Sequence, residues 1–407
     1  MLTACGGTRT IVQESLQPNK VTHTPSATHS YRLVWVATLL FYAAYYALLI
    51  PMPLYLTGIG LPDWQVSVIL GAFAIASLFG RPIAGVLTDT WGRRQMLFMG
   101  AGSLLIGATC VSLTTQPALL FIFRILQASG HVAFTTAAFA LVADLAPIEQ
   151  RLSALAIFGI AANLSMSLIP AATNAILGLI TLKGAFWLAG ALAAGSGLLA
   201  GFIKTKPLEH KRPYAWRMVF KVERELILPM LISWLFGAGY GAFLQFLPLL
   251  AERRSLGPVG LAYTTYGVSI ILTRVASGSL FDFTNRNRIM AAGFISLATG
   301  LAGFAYAGSL ATLLCGVVLV GVGSGILHPA LIAVHVDALP TERGRAVSDF
   351  YLAFDLGLGI GAWIMAPALQ WFGITGLYVV AAVLSALGFL LVPRIQPPPS
   401  LEELKSR

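Results

Sequence analysis

Long apolar stretches separated by short polar connections run along nearly the whole chain of 407 residues. Each stretch is long enough to cross the hydrocarbon core of a bilayer, which is about 30 Å thick. A backbone surrounded by lipid must satisfy its own hydrogen bonds, so the pattern predicts transmembrane helices. The twelve predicted spans are residues 33–57, 64–87, 95–113, 118–142, 152–176, 184–203, 226–250, 259–282, 289–308, 311–335, 346–371 and 374–393.

Charged and small residues recur among these spans at a fixed offset of 193 positions. Charged residues held in register over such a distance are not expected from chance similarity between apolar helices. The repeat predicts an all-α membrane protein of two pseudo-symmetric six-helix bundles, the plan of a transporter that rocks two halves about a central site. The pairs are Arg81/Arg274, Gly85/Gly278, Asp89/Asp282, Arg93/Arg286, Gly130/Gly323, Asp144/Asp337, Pro147/Pro340 and Glu149/Glu342.

The repeat and one long polar interruption divide the chain into five predicted segments. A disordered cytoplasmic tail at 1–30 precedes the first bundle at 31–203, and a cytoplasmic linker at 204–225 leads to the second bundle at 226–395, with a cytoplasmic tail at 396–407. Aromatic and aliphatic residues among the basic residues of the linker are compatible with a short helix on the membrane surface. A tether that anchors the topology is the simpler interpretation.

Composition and charge distribution agree with a multi-pass membrane protein. Hydrophobic residues make up 57% and charged residues 10% of the chain, against about 25% charged residues in a soluble domain. The net charge of +10 could indicate nucleic-acid binding, but with both termini inside, the cytoplasmic segments hold twenty Lys and Arg and the external loops three. This positive-inside bias predicts a cell-membrane protein with cytoplasmic termini and no nucleic-acid partner.

No motif for catalysis or cofactor binding accompanies the spans. The three cysteines lack metal-ligand spacing, and we find neither a nucleophile–base constellation nor a phosphate-cradling loop. We therefore expect a monomer that is not an enzyme and uses no cofactor and no metal. Its expected partners are the lipid bilayer, the proton and a small-molecule substrate.

The loop after the second span carries the most specific motif, Gly85-Val-Leu-Thr-Asp89-Thr-Trp-Gly92-Arg93-Arg94. It resembles the Gly-x-x-x-Asp-x-x-Gly-Arg-Arg signature between spans two and three of the major facilitator superfamily. A less regular copy follows Gly278, with Asn285 where the first copy has Gly92.

Other parts of the chain resemble the same family. The segment Arg124-Ile-Leu-Gln127-Ala-Ser-Gly130 resembles its fourth-span motif, and residues 144–151 and 337–345 resemble its loops between spans 4–5 and 10–11. The resemblance covers about residues 33–393 and implies a twelve-span transporter of the bacterial efflux type.

The resemblance also implies a gating role for the loop motif. Asp89 would face the N-terminal end of the eleventh span, where exposed amide donors favour an anion, and would latch the halves together inside when the protein opens outward. The competing interpretation makes the charges of this loop topology signals only. The gating candidates are Asp89, Arg93, Arg94, Asp282 and Arg286.

Ionisable residues within the spans are functional candidates, because each is costly to place in lipid. Asp355 is the only carboxylate deep in a predicted span, about nine residues into the eleventh, or roughly 13 Å at 1.5 Å per residue. We expect it to take up and release a proton. The alternative is a static salt bridge with Arg81, which family resemblance places beside it; both hold if the bridge breaks during the cycle.

Three further buried groups leave alternatives open. Arg124 would, by resemblance to the fourth-span motif, modulate proton affinity or hold an anionic substrate group; hydrogen bonding to neighbouring carbonyls is the structural alternative. Asp355, Arg81 and Arg124 form the predicted proton-coupling set. His131 and His328 could titrate near neutral pH, although a satisfied interior histidine is the simpler interpretation of each.

Substrate contacts must come from polar or aromatic residues on the inward faces of the spans. Tyr42, Tyr45 and Tyr46 have the i, i+3, i+4 spacing of one helix face, although lipid-facing or packing roles are commoner for such aromatics. A mostly aromatic and apolar cavity favours amphipathic organic molecules. The candidates are Tyr42, Tyr45, Tyr46, Gln127, His131, Asn163, Tyr240, Gln245, His328 and Phe354.

The fifth span departs from the pattern of drug–proton antiporters in this family. Those proteins show a Gly-Pro-centred motif there, whereas the segment from Gly159 to Pro170 has no Gly-Pro pair. Proton-coupled export of a small organic compound is the leading hypothesis. The alternative is a transporter of a sugar or another metabolite, working as an exporter or a uniporter, and a non-transporting membrane protein comes last. A proton flux on adding substrate would separate the first two.

Overall fold

The computed structural model describes residues 25–146, 151–205, 223–277, 286–339 and 342–395. Within these ranges the chain forms helices joined by short turns, and no strand occurs. The helices are α1 (Pro25–Tyr46), α2 (Pro51–Gly58), α3 (Asp63–Leu70), α4 (Phe73–Thr90), α5 (Arg93–Val111), α6 (Pro117–Leu145), α7 (Arg151–Ile176), α8 (Leu182–Gly201), α9 (Arg224–Arg253), α10 (Gly260–Ser277), α11 (Arg286–Ala305), α12 (Leu310–Ala338) and α13 (Arg343–Leu391).

The number of membrane spans is consistent with the predicted twelve. Among the described residues, ten segments are long and apolar enough to cross a membrane. The last of them, Gly344–Arg394, has 51 residues and contains Gly373 at a φ of 64°. This left-handed conformation is readily adopted only by glycine, and it divides α13 into two spans. The 18-residue helix α10 is the twelfth.

The first and second spans each consist of two helical segments. Pro51 opens α2 and cannot donate to the hydrogen-bond ladder, which interrupts the helix after α1. The second span breaks between α3 and α4, where Gly71 lies against Gly359 and Trp363 of α13. A side chain at Gly71 would collide with both residues. The break therefore permits a close approach of the second half of the chain.

The two halves repeat their internal contacts at the offset seen in the sequence. The helices α6 and α12 each contain 29 residues, and their bounds differ by 193 at both ends (310 − 117 and 338 − 145). Ser103 Oγ donates to the carbonyl of Leu126, and Ser296 Oγ donates to the carbonyl of Leu319, each at 2.7 Å. These equivalent contacts confirm the predicted pseudo-symmetric arrangement.

The halves meet along two groups of helices. One group consists of α13, which packs against α3 and α4 of the first half and against α9 of its own half; the other consists of α7 and α10. On α9, Gly237 lies against the backbone of Phe354 and Gly241 against that of Leu358. At these two positions no side chain separates the helices, so α13 packs closely on α9, while Asp355 and Gly359 of another face meet α4.

The two ends of the bundle, termed external and internal from the predicted topology, differ in how the halves contact each other. At the external end Arg253 forms a bidentate salt bridge with Asp63. The Trp64 N–H donates to Gln370 Oε1 at 3.3 Å, and the Trp363 indole donates to a carbonyl of α3 at 3.1 Å. The structure is therefore closed at the external end.

Parts of the predicted organisation lie outside the described residues. These parts are 1–24, 147–150, 206–222, 278–285, 340–341 and 396–407. They include the gating candidate Asp282, most of the linker, the first tail as far as residue 24 and the whole of the last tail, so the division into domains stays a prediction.

Candidate functional site

A buried ion pair joins the two halves near the middle of the bundle. Asp355 of α13 is 4% exposed, and its Oδ2 accepts a hydrogen bond from Arg81 Nε of α4 at 2.6 Å. Arg81 Nη2 contacts the same oxygen, and Ser77 Oγ donates to it at 3.1 Å. Three donor atoms on one helix of the first half thus hold one carboxylate oxygen of the second.

Helical spacing produces this arrangement. Ser77 and Arg81 are four residues apart on α4 and therefore lie on one face, one turn apart. Tyr351 and Asp355 have the same relation on α13. The guanidinium carbon of Arg81 lies 5.2 Å from the ring centre of Tyr351, within the range of a cation–π interaction. Two successive turns of α4 thus meet two successive turns of α13.

The ion pair lies deep in the predicted span, where an unpaired charge is costly. Asp355 is 12 residues from the first residue of α13 (355 − 343), or roughly 18 Å along the helix at 1.5 Å per residue. An ion at such depth is costly unless it is paired, so neutralising Asp355 would change the contact between α4 and α13. The structure brings together Asp355 and Arg81, two of the three predicted coupling residues.

Arg124, the third predicted coupling residue, is 4% exposed and has no carboxylate partner among the described residues. Its Nη1 donates to Gln127 Oε1 at 3.0 Å, and Gln127 Nε2 donates to the Gly107 carbonyl at 2.9 Å. Gln127 is thus held between α5 and α6 of its own half. Arg124 also lines a narrow cavity with Tyr45 and, from the opposite half, Gln245.

Aromatic rings of the first half surround His131. Its ring centre lies 4.4 Å from that of Tyr45, 5.9 Å from Tyr42 and 5.6 Å from Phe73. Tyr42 also stacks on Tyr46, with ring centres 5.8 Å apart. Tyr42 and Tyr45 are 8% and 5% exposed, so they face the protein interior. We call His131, Tyr42, Tyr45, Tyr46 and Phe73 the first aromatic cluster.

A second aromatic cluster lies in the other half and consists of Tyr240, Tyr266, His328 and Phe354. The ring of Tyr240 lies 5.4 Å from Phe354 and 6.0 Å from Tyr266, and that of His328 lies 5.9 Å from Phe354. The Tyr240 hydroxyl approaches the sulfur of Met166 on α7 at 3.5 Å. This cluster therefore borders the interface with the first half.

Two of the predicted substrate residues have different surroundings. Gln245 is 2% exposed, and its Nε2 donates to the carbonyl of Leu358 at 3.1 Å. Asn163 is half-buried on α7, where its backbone carbonyl accepts a hydrogen bond from Ser167 at 2.8 Å. Gln245 thus contributes to the packing of α9 on α13, outside both aromatic clusters.

The central ion pair is not repeated in the other half. Arg274 occupies the position equivalent to Arg81 (81 + 193), but its side chain is exposed. The position equivalent to Asp355 (355 − 193) is Ala162. The polar machinery is therefore asymmetric on a symmetric scaffold.

Arginines at the internal end pair with carboxylates in an arrangement that is repeated. Arg93 Nε bonds Asp144 Oδ2 at 2.9 Å, and Arg286, 193 positions later, pairs with Asp337. Each pair connects the start of one helix to the end of its neighbour. These contacts lie within one half each and brace its internal end.

Asp89 is the gating candidate for which the family resemblance implied a contact between the halves. Its Oδ1 accepts from Arg93 Nη1 at 2.8 Å, and its side chain is 59% exposed. Arg94 beside it is exposed. In this externally closed conformation the polar contacts between described residues of the two halves reach no further inward than Arg81 and Tyr351. The predicted latch belongs to the opposite conformation and stays a prediction.

Several residues of the site were not among the sequence candidates. Ser77, Phe73 and Tyr351 contact predicted residues, and the signal that could have found two of them is spacing. Ser77 precedes Arg81 by four positions, and Tyr351 precedes Asp355 by four. Over the ranges that the structure describes, no group of three or more His, Cys, Asp or Glu is placed to hold a metal ion.

Comparisons with known proteins agree with these features. The sequence model of the Major Facilitator Superfamily matches residues 34–310 and 230–407. An uncharacterized MFS-type transporter of Methanocaldococcus jannaschii is 24% identical over 372 residues, which cover 85% of this chain and 92% of the relative.

Solved structures of transporters are similar in fold. A mutant form of the nucleoside transporter NupG gives a TM-score of 0.76 at 13% identity and covers 90% of this chain and 100% of its own. A POT family transporter in complex with a thioalcohol-conjugated peptide gives 0.73 at 15% identity and covers 91% and 97%. At such low identity the similarity concerns the fold alone.

Proposed function

Because the chain belongs to the major facilitator superfamily, we propose that it is a secondary transporter that exports a small amphipathic organic compound in exchange for protons. Membership makes it a multi-pass membrane transporter; coupling, direction and substrate class are the proposal. Export follows the resemblance to efflux members. The observation that carries the coupling is the buried pair of Asp355 and Arg81 between the halves.

Protonation of Asp355 would act directly on the contact between the halves. The ionised carboxylate holds Arg81 across the interface, and a neutral acid attracts the guanidinium far less. A group that stabilises one arrangement of the halves more than the other shifts the population between them. Proton binding at Asp355 therefore favours release of α13 from α4, and proton loss favours their contact.

Arg124 contributes to the same cycle through its charge. With Asp355 neutral, neither the partly buried Arg81 nor the buried Arg124 has an ionised carboxylate partner among the described residues. Such a state is costly in a poorly solvated interior. The cost is relieved when Asp355 loses its proton or when the halves move, so Arg124 helps to prevent the protonated state from persisting.

The two aromatic clusters support an amphipathic substrate. One cluster comes from each half. The rings of Tyr42, Tyr240 and Phe354 offer apolar surface, and the two tyrosines add phenol groups. Few charges accompany them, which disfavours highly charged metabolites. Asn163 and His328 supply further polar atoms near this interface.

Closure at opposite ends would alternate during transport. The external end is closed here by Asp63 and Arg253, and the internal end would close through Asp89. Arg93, Arg94, Asp282 and Arg286 complete the proposed internal gate.

We propose that the protein works as a monomer in the cell membrane with both termini in the cytoplasm.

Transport by proteoliposomes with an imposed pH gradient tests the proposal. After a screen identifies a transported compound, Asp355→Asn should abolish concentrative transport driven by the gradient, because an amide cannot release a proton. Exchange of labelled for unlabelled compound should persist, because it needs no net proton movement.

Glu252→Gln is the matched control, because Glu252 is an exposed acid at the end of α9 and its neutralisation should leave transport unchanged. An Asp355→Asn variant that still concentrates the compound against its gradient would show that the proton travels elsewhere. Substrate movement without any proton flux in the wild type would favour an uncoupled metabolite transporter instead.

A further inference from the structure

Ser77 contacts the carboxylate of Asp355 and is fully buried on α4. Its Oγ donates to Asp355 Oδ2 at 3.1 Å, the oxygen that also receives both contacts from Arg81. The other oxygen, Oδ1, accepts no hydrogen bond from any residue that the structure describes. The two oxygens of Asp355 are thus in different environments, and donors on successive turns of α4 produce the difference.

We propose that Ser77 is a positioning residue for proton uptake by Asp355. It holds Oδ2 against α4, leaves Oδ1 as the atom that receives the proton, and sets the pH at which that proton is released. The effect of Ser77 on transport rests on the proposed proton coupling, whereas its effect on the protonation of Asp355 does not. The protonation behaviour of Asp355 can be tested without any substrate.

The chemistry of the carboxyl group supports this role. A proton that reaches Oδ1 from a hydronium ion of the solvent breaks one O–H bond of that ion, which becomes water, and forms one O–H bond on the carboxyl group. Oδ2 then becomes the carbonyl oxygen of a neutral acid. That oxygen still accepts from Ser77 and Arg81, but the hydrogen bonds weaken because the acceptor has lost its charge. Proton uptake can therefore precede any movement of α4, and it loosens the contact before the halves separate.

The sign of the effect of Ser77 on protonation follows from the same contact. A hydrogen bond donated to a carboxylate stabilises its ionised form. Removing the hydroxyl withdraws that stabilisation, so Asp355 holds its proton more strongly. The acid then loses its proton only at higher pH.

In any titration, the signal of Asp355 must be distinguished from the signals of other titratable groups near it. Arg81 lies on α4, Tyr351 precedes Asp355 on α13, and Tyr42 and Tyr45 of α1 interact with Asp355 electrostatically. Tyrosine and arginine side chains ordinarily titrate well above neutral pH.

Histidine is the group that can interfere near neutral pH. His328 of α12 and Tyr240 of α9 contact Phe354, the neighbour of Asp355. His131 of α6 contacts Tyr42 and Tyr45 and, like these rings, lies within electrostatic range of the arginines Arg81 and Arg124. A pH profile of transport alone could therefore confuse either histidine with Asp355. A spectroscopic signal specific to a carboxyl group avoids this confusion.

Infrared titration of the purified protein provides that signal. The carbonyl band of protonated Asp355 is assigned by its loss in Asp355→Asn, and its intensity is followed with pH. In Ser77→Ala the midpoint should move about one unit toward higher pH, the scale expected for a hydrogen bond to a charged group. Ser77→Thr keeps the hydroxyl and should titrate close to the wild type.

Ser196→Ala is the matched control. Ser196 is equally buried and donates to the carbonyl of Ala37 at 2.7 Å, so its removal loses a buried hydrogen bond that involves no carboxylate. The variant should lose thermal stability with no change in the midpoint. An equal shift in Ser196→Ala, or an unchanged midpoint in Ser77→Ala, would overturn the inference and leave Ser77 as a packing residue.

Two additions keep the outcomes separable. If Ser77→Ala does not fold, Ser77→Cys retains the packing with a weaker donor and should shift the midpoint in the same direction by less. Proton-driven transport measured on the same variants separates the two proposals. A shifted band without coupled transport in the wild type would refute the proposed function alone, and coupled transport with an unshifted band would refute the role of Ser77 alone.

Discussion

Asp355 is the residue for which two roles can be distinguished by experiment, a static salt bridge with Arg81 and a site that takes up and releases a proton. A static buried pair that loses one partner destabilises a protein by about 3–5 kcal/mol. A transporter that protonates Asp355 in every cycle must tolerate the neutral side chain. Arg81 keeps the ring of Tyr351 as a second contact when the charge of Asp355 is lost.

We therefore predict that Asp355→Asn reduces the free energy of unfolding by clearly less than about 3–5 kcal/mol while it abolishes gradient-driven transport. Melting temperature in detergent, measured beside Glu252→Gln, checks the first part. A loss of stability across the full range, together with loss of exchange, would mean that Asp355 serves mainly as a strut for Arg81.

At the scale of elements, the approach of α13 to α4 depends on glycine. A Cβ at Gly359 would collide with the backbone of Ala74 on α4, at the external side of the ion pair. The same helix is held on α9 by Gly237. Because α13 cannot retreat from α4 without losing its contact with α9, a larger residue at Gly359 should oppose closure of the external end.

We predict that Gly359→Val shifts the protein toward an externally open state. Overpacking costs typically about 1–3 kcal/mol, which corresponds to a population change of about 5- to 140-fold. Labelling of a cysteine placed at Leu49, a buried residue that lines the narrow cavity beside Arg124, should accelerate accordingly. Gly303→Val is the control, because a Cβ there meets nothing within 4 Å. Equal labelling rates in the two variants would contradict the prediction.

At the scale of the whole molecule, the externally closed state leaves the residues of the proposed internal gate without contacts to the other half among the described residues. Asp89 pairs only with Arg93 of its own half among the described residues and is largely exposed. Its proposed partner in the opposite conformation is the start of α13, where free amide groups favour an anion. The latch would stabilise the externally open state alone and leave the stability of the present state unchanged.

We predict that Asp89→Asn slows transport several-fold and leaves the melting temperature unchanged, and that Asp282→Asn does less harm. The reason is that the loop motif is complete around Asp89 and altered at Asn285 in the second copy. Initial transport rates at matched expression provide the measurement. Wild-type rates in Asp89→Asn would eliminate the latch.

The order and class of the elements could be predicted from the sequence because they depend on local properties. Apolar length indicates a span, and residues such as Arg93 and Asp144, repeated at Arg286 and Asp337, indicate two equivalent halves. Asp355 and Arg81 could be singled out for the same reason, since a charge within an apolar segment is visible without knowing its neighbours. The pairing of these two residues needed the resemblance to a family or the fold itself.

Only the tertiary structure decided which side chains share a site. Ser77 and Asp355 are 278 positions apart, and their contact depends on the rotation of α4 and α13 about their axes, which close packing through Gly71, Gly237 and Gly359 sets. Packing likewise directs Gln127 to the carbonyl of Gly107. The closed external end is also a property of the assembled halves, because the same sequence must form both conformations and local patterns are identical in each.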